Sequence, residues 1–180
     1  ISSLAHTLSL SAAPSATVTI TKNTLSSLIT IGTGGDSAGV QLSVSDLKFA
    51  LTGSDADNAI GGALFELVDT THVTHSSLIL TGVIAESSHA SNPAYSSAPL
   101  IDAKSGKVTM NGCTFRRITL TSNTPLITTS SVSSDLELGA DARDSENVKR
   151  NEFTSIERRT GSGSVFAISI TGTSTGPELG

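Results

Sequence analysis

The chain has 180 residues, 37% hydrophobic and 3% aromatic with no Trp, so it can bury one continuous core made of Leu, Ile, Val, Ala and five Phe. A net charge of −5 argues against nucleic acid as a partner, the single Cys113 rules out an internal disulfide, and the apolar runs fall far short of the roughly 20 residues of a membrane-spanning helix. Thirty Ser and 24 Thr stand beside abundant Val and Ile, which favours strands over disorder.

One pattern recurs along the chain. Leu4, Leu8 and Leu10 offer a partial coil ahead of it. The first repeat then runs through Val18 and Ile20 to Leu25, the second through Leu42 and Val44 to Phe49, and the third through Val73 and His75 to Leu80. The fourth runs through Val108 and Met110 to Phe115, and the fifth through Glu146 and Val148 to Phe153. Aligned on their last residues, the positions seven and five before are apolar in four of five repeats. So is the position three after, held by Leu28, Thr52, Val83, Ile118 and Ile156. The position four before (Thr21, Ser45, Ser76, Asn111, Lys149) is polar every time.

Side chains alternate along a strand, so the residues at minus seven and minus five share a face. The odd interval from minus five to the anchor demands a bend, best seen at Asn111-Gly112, a pair suited to positive φ. A further short strand is predicted after each anchor, at 29–31, 64–67, 100–103, 126–128 and 165–168. Three strands and their bends, repeated, predict an all-β, right-handed parallel β-helix solenoid of about five coils with variable corner loops. The expected organisation is a single domain over 1–170 with recognisable coils over 17–170. An insertion at 129–147 holds acids from Asp135 to Glu146, and 171–180 reads as a tail or linker.

Gly61-Gly62-Ala63-Leu64 before an apolar strand, and Asn111-Gly112-Cys113-Thr114-Phe115, resemble the repeats of bacterial polymorphic outer-membrane proteins and of pectin-lyase-like surface proteins of some protists. The bacterial family pairs Gly-Gly-Ala with Phe-x-x-Asn, whereas Phe115 and Phe153 are followed by Ile118 and Ile156. The resemblance implies a β-helix displayed outside the cell and used in adhesion.

Basic residues cluster late in the chain. Only Lys22 and Lys48 precede residue 104, against nine between Lys104 and Arg159. Arg116, Arg117, Lys149, Arg150, Arg158 and Arg159 flank the last two anchors and are candidates for binding sulfated or carboxylated glycans through guanidinium forks. Glu152 and Glu157 stand among them as neutralising partners. Asp55 and Asp57, in a corner loop, are candidate calcium ligands, with a solvated loop as the plainer reading. His72 and His75, with Asp69 and His89, suggest a metal, but His72 and His75 are three apart on a predicted strand and would face opposite ways. The Asn-Thr-Asp and Gly-His-Gly patterns of polygalacturonases are absent, and no cofactor is indicated.

The sequence therefore points to a non-catalytic adhesive or structural module of the cell exterior, part of a larger surface protein. Its expected partners are further protein at the solenoid ends and glycans, with no nucleic acid and no membrane insertion by this segment. The rival readings are a subunit of a head-to-tail extracellular filament and a carbohydrate-active, polysaccharide-degrading β-helix enzyme.

Overall fold

The computed structural model describes residues 6–13, 16–22, 26–32, 40–68, 76–121, 123, 125–129, 134–138, 150–159 and 168–170, and all regular structure among them is β. In chain order the strands are β1 (His6–Ser11), β2 (Val18–Lys22), β3 (Ile29–Ile31), β4 (Val40–Ser45), β5 (Leu47–Leu51) and β6 (Phe65–Leu67). Then come β7 (Ser77–Thr81), β8 (Ile84–Ser87), β9 (Ala94–Ser96), β10 (Ile101–Ala103) and β11 (Gly106–Asn111). The last are β12 (Thr114–Leu120), β13 (Ile127–Thr129), β14 (Ser134–Leu138), β15 (Glu152–Arg158) and β16 (Ile168–Ile170).

The chain visits three sheets in rotation. Sheet 1 is β1-β4-β7-β11-β14, sheet 2 is β2-β5-β8-β12-β15 with β9 also on β12, and sheet 3 is β3-β6-β10-β13-β16. All pairings are parallel, and each strand lies on the strand one circuit away, so the fold is a parallel β-solenoid.

Period-two alternation explains which residues enter the core. On sheet 1, Leu42, Leu78, Val108 and Leu136 stack in one buried column and Val44, Leu80 and Met110 in the next. On sheet 2 the column is Ile20, Phe49, Ala85, Phe115 and Phe153. On sheet 3, the three-residue strands read apolar, polar, apolar except β13 (Ile-Thr-Thr), stacking Phe65, Ile101 and Ile127 inside. Phe49 meets Phe65 edge to face and Phe115 lies flat on Phe153, each pair 5.4 Å between ring centres.

The bend between sheets 1 and 2 is a stack of left-handed residues, Asp46, Gly82 and Gly112, with φ of 55°, 62° and 63°. Asp46 donates its N–H to Thr81 O and Gly82 to Asn111 O, both at 2.9 Å, so each bend is bonded to the next. In the last circuit a side chain completes the ladder. Asn151 Nδ2 donates to Met110 O, and its Oδ1 accepts the Cys113 N–H, each at 2.9 Å. A second left-handed residue interrupts sheet 2, at Arg117 (φ 56°) and Ser155 (φ 53°). It lets Phe115 and Ile118 both point inward across an odd interval. The Gly-Gly-Ala motif has a packing cause, since a Cβ on Gly62 would stand 2.3 Å from the Ser26 carbonyl carbon one circuit away.

The bends at Asn111-Gly112 and Ser45-Asp46 match the sequence reading, as do the predicted strands of sheet 3 that fall on described residues. The register differs in three circuits. Leu80 does not join the Phe49 and Phe115 column; Ala85 does, five residues later, while Leu80 stacks between Val44 and Met110 on sheet 1. An alignment that seeks bulk at each anchor passes over Ala85, and Val73 and His75 lie outside the described residues. In the first circuit Ile20 holds the anchor slot and Leu25 lies outside the described residues, while β1 supplies the sheet 1 strand. In the last, the sheet 1 strand is β14, within the 129–147 segment read as an insertion. Glu146 and Val148 lie outside the described residues, as does the 171–180 tail.

Candidate functional site

The outward positions of each sheet set the charge of that face. On sheet 1, Lys107 and Glu137 pair at 2.7 Å. On sheet 3, Glu66 accepts from Ser27 Oγ (2.7 Å) and from Lys104 Nζ (2.5 Å), and Lys104 also lies 3.6 Å from Asp102. The bonds from Lys104 and Ser27 hold the Glu66 carboxyl below its ordinary range, and Glu66 in return raises Lys104. Burial pushes Asp102 up, against the pull of Lys104.

Sheet 2 carries the densest cation cluster among the described residues, and its hub is Glu86. This side chain stands on β8 directly below Arg116 of β12 and diagonally above Lys48 of β5. Lys48 Nζ lies 2.5 Å from Glu86 Oε1, Arg116 Nε donates to Oε2, and Arg117 Nη2 is 3.5 Å from Oε2. The Glu86 side chain is 4% exposed, against 37% for Lys48 and 48% for Arg116. Burial pushes the Glu86 carboxyl up, but hydrogen bonds and charge from Lys48 and Arg116 outweigh it and hold it below the usual range. The cluster joins three successive circuits.

Arg117 does something different from its neighbour. Its left-handed backbone turns the guanidinium toward the 88–93 excursion between β8 and β9. Nη1 donates to His89 O (3.0 Å) and Ala90 O (2.7 Å), and Nη2 donates to Ser87 O (3.0 Å). The excursion is thus clamped onto the ladder, and Glu86 and Ser87 at its root are buried strand residues. The repeat register places 86–92 in a corner loop outside the ladder; Glu86 and Ser87 instead belong to β8, and the excursion begins after them.

The other expected site residues scatter. Arg150 is exposed, and Lys149 lies outside the described residues. Arg158 occupies the sheet position above the buried Leu120 and is half-buried. Arg159 leaves the sheet toward Tyr95, 3.3 Å from its hydroxyl and 5.5 Å from the ring centre. Of the five that are described, Arg116 and Arg117 are brought to Glu86, and Arg158 and Arg159 stand past the left-handed break. Lys48 and Glu86, which complete the cluster, carry no sequence signal because they are remote from the arginines in the chain.

Asp55 closes its own turn, accepting from the Asp57 and Asn58 N–H groups, from Asn58 Nδ2 and from Ser54 Oγ. The Asn58 bonds come first among the causes that lower its carboxyl. Among the described residues no group of three His, Cys, Asp or Glu side chains is placed to hold a metal ion, and His72, His75 and Asp69 lie outside those residues. Burial raises the Cys113 thiol, whose Sγ faces Leu80 O. Lys22 occupies an inward column beside Leu51, 1% exposed, with Nζ donating to Ser26 O at 2.7 Å and its ammonium lowered by burial.

Neither family models, curated proteins nor solved structures gave a match to this chain.

Proposed function

We propose that the chain is a non-catalytic adhesive or structural β-solenoid module of the cell exterior, carried by a larger surface protein. The observation that supports this reading is the condition of its best-placed carboxylates. Glu86 and Glu66 are ion-paired to cations of neighbouring circuits and held below the ordinary range. Cleavage of a polysaccharide by paired acids calls for a carboxyl kept protonated and free to act as acid, whereas Asp102, which burial raises, lies 3.6 Å from the Lys104 ammonium beside the ion-paired Glu66. Here the carboxylates serve to lock one coil to the next. The test applies the labelled chain to a glycan array and to whole cells, with a parallel assay for new reducing ends or unsaturated products on polysaccharides. Saturable binding without turnover is expected; turnover would transfer the protein to the carbohydrate-active class.

A second reading, the head-to-tail filament subunit, draws on the first circuit. Leu8 and Val18 stand in columns whose later members are buried, yet are 56% and 40% exposed, and Leu28 is 36% exposed. Strand edges with uncovered apolar side chains invite strand addition. Sedimentation of the chain with and without residues 1–11 and 171–180 tests it. A monomer at high concentration, unchanged by either truncation, would remove the filament.

A further inference from the structure

We infer that Lys48 and Arg116 form one oxyanion site on the sheet 2 face, which takes a carboxylate- or sulfate-bearing saccharide, with Glu86 as its positioning residue. The inference rests on the adhesive reading and gives it a ligand class. Each cation spends a single contact on Glu86, through Lys48 Nζ on one oxygen and Arg116 Nε on the other. That leaves two ammonium protons and the terminal guanidinium fork without another partner among the described residues, on side chains 37% and 48% exposed. The buried carboxylate cancels one charge and fixes both donors, so Lys48, Glu86 and Arg116 sum to +1 on a chain of net −5. Arg117 adds a further charge beside them while three of its terminal guanidinium protons are taken by the Ser87, His89 and Ala90 carbonyls. Donors fixed in advance lose little side-chain freedom on binding, and a guanidinium fork suits carboxylate and sulfate alike. A saccharide fits better than a small free anion because the face is an open strand ladder, on which Thr114 and Thr154 neighbour Arg116 and offer hydroxyls to a chain lying across the coils.

The test runs the purified chain at low salt over immobilised heparin, immobilised hyaluronate and neutral dextran, and then measures solution affinity for the retained saccharide. Retention on a charged resin but not on dextran is expected, and which resin retains it separates sulfate from carboxylate recognition. Arg116→Gln and Lys48→Gln should each weaken binding by about tenfold or more. Arg116→Lys keeps the charge and the Glu86 pair but not the fork, so it should weaken binding several-fold while leaving the melting temperature in place. The site is overturned if the wild-type chain passes through both charged resins, or if the double variant Lys48→Gln, Arg116→Gln binds as the wild type does. Passage through both resins by a chain that still binds neutral glycans on the array removes this site and leaves the adhesive reading standing. Binding to nothing on array, cells or resins removes both.

Discussion

Replacing Phe115 by Ala probes how the circuits hold one another. The ring is 1% exposed and stacks on Phe153 at 5.4 Å and 9° between planes, with Ala85 as its neighbour on the other side. Truncating a buried Phe costs about 3–5 kcal/mol, of which the lost aromatic pair accounts for about 0.5–1.5. Two features place this site within that range. Ala85 has only a methyl group, which cannot reach into the hole, and this keeps the cavity open and the cost high. Phe153 is only partly buried and can settle downward, which lowers it. The expected loss is about 3–4 kcal/mol, against about 1–2 for Phe153→Ala, whose ring gives up less buried area. Urea unfolding followed by circular dichroism measures both. Hydrogen exchange then shows where the loss falls, because a solenoid is coupled circuit to circuit and the β12–β15 ladder should open first. Equal costs for the two variants, or unchanged protection across Glu152–Arg158, would refute the stacking argument.

Gly106→Ala should destabilise by about 2–3 kcal/mol in the same urea assay, since Gly106 has φ 79° and a Cβ there would sit 2.0 Å from the Ser76 backbone oxygen. Glu86→Gln should cost about 1–3 kcal/mol near neutral pH, less than a fully buried pair because Lys48 and Arg116 are half in water. The Glu86 and Glu66 carboxyls are lowered in the fold, so their stabilisation is present above the ordinary value of 4.5 and is lost as pH falls below it; melting from pH 7 to 3 should show that decline, smaller in Glu86→Gln. Asp102, raised from 3.8, works the opposite way, and Asp102→Asn should leave the acid decline in place. Arg117→Ala should speed amide exchange across 88–93 while moving the melting temperature little, and loss of the whole fold would show that the clamp is part of the core.

Much of the solenoid was legible because its rule is local. Phe65-Glu66-Leu67 and Ile101-Asp102-Ala103 announce their strands by alternation, and Asn111-Gly112 announces its bend by the left-handed conformation it tolerates. Register was harder, because it depends on which residue of one circuit lies over which residue of the next. Ala85 holds a core slot between Phe49 and Phe115 and looks like nothing in a scan for bulk, so the match slid to Leu80, which is equally apolar and belongs to another sheet. Strand β14 was hidden for a related reason, since the charges of Asp135 and Glu137 in the sequence mask the strand that buries Leu136.

The charged cluster divides along the same line. Composition and order in the chain determined that the late circuits are basic and that the core is aliphatic and repetitive, since both follow from residue type alone. They could not tell Arg116 from Arg117, adjacent in the chain and identical in chemistry. With a single left-handed residue parting their paths, Arg116 bonds to Glu86 while Arg117 reaches past the edge of Glu86 onto the carbonyls of Ser87, His89 and Ala90. Nor could they join Lys48, Glu86 and Arg116, which stand 38 and 30 residues apart and meet only because parallel stacking puts successive circuits about 4.8 Å from one another. Spacing along the chain set what each strand looks like; the stacking of one circuit on the next decided which charges touch.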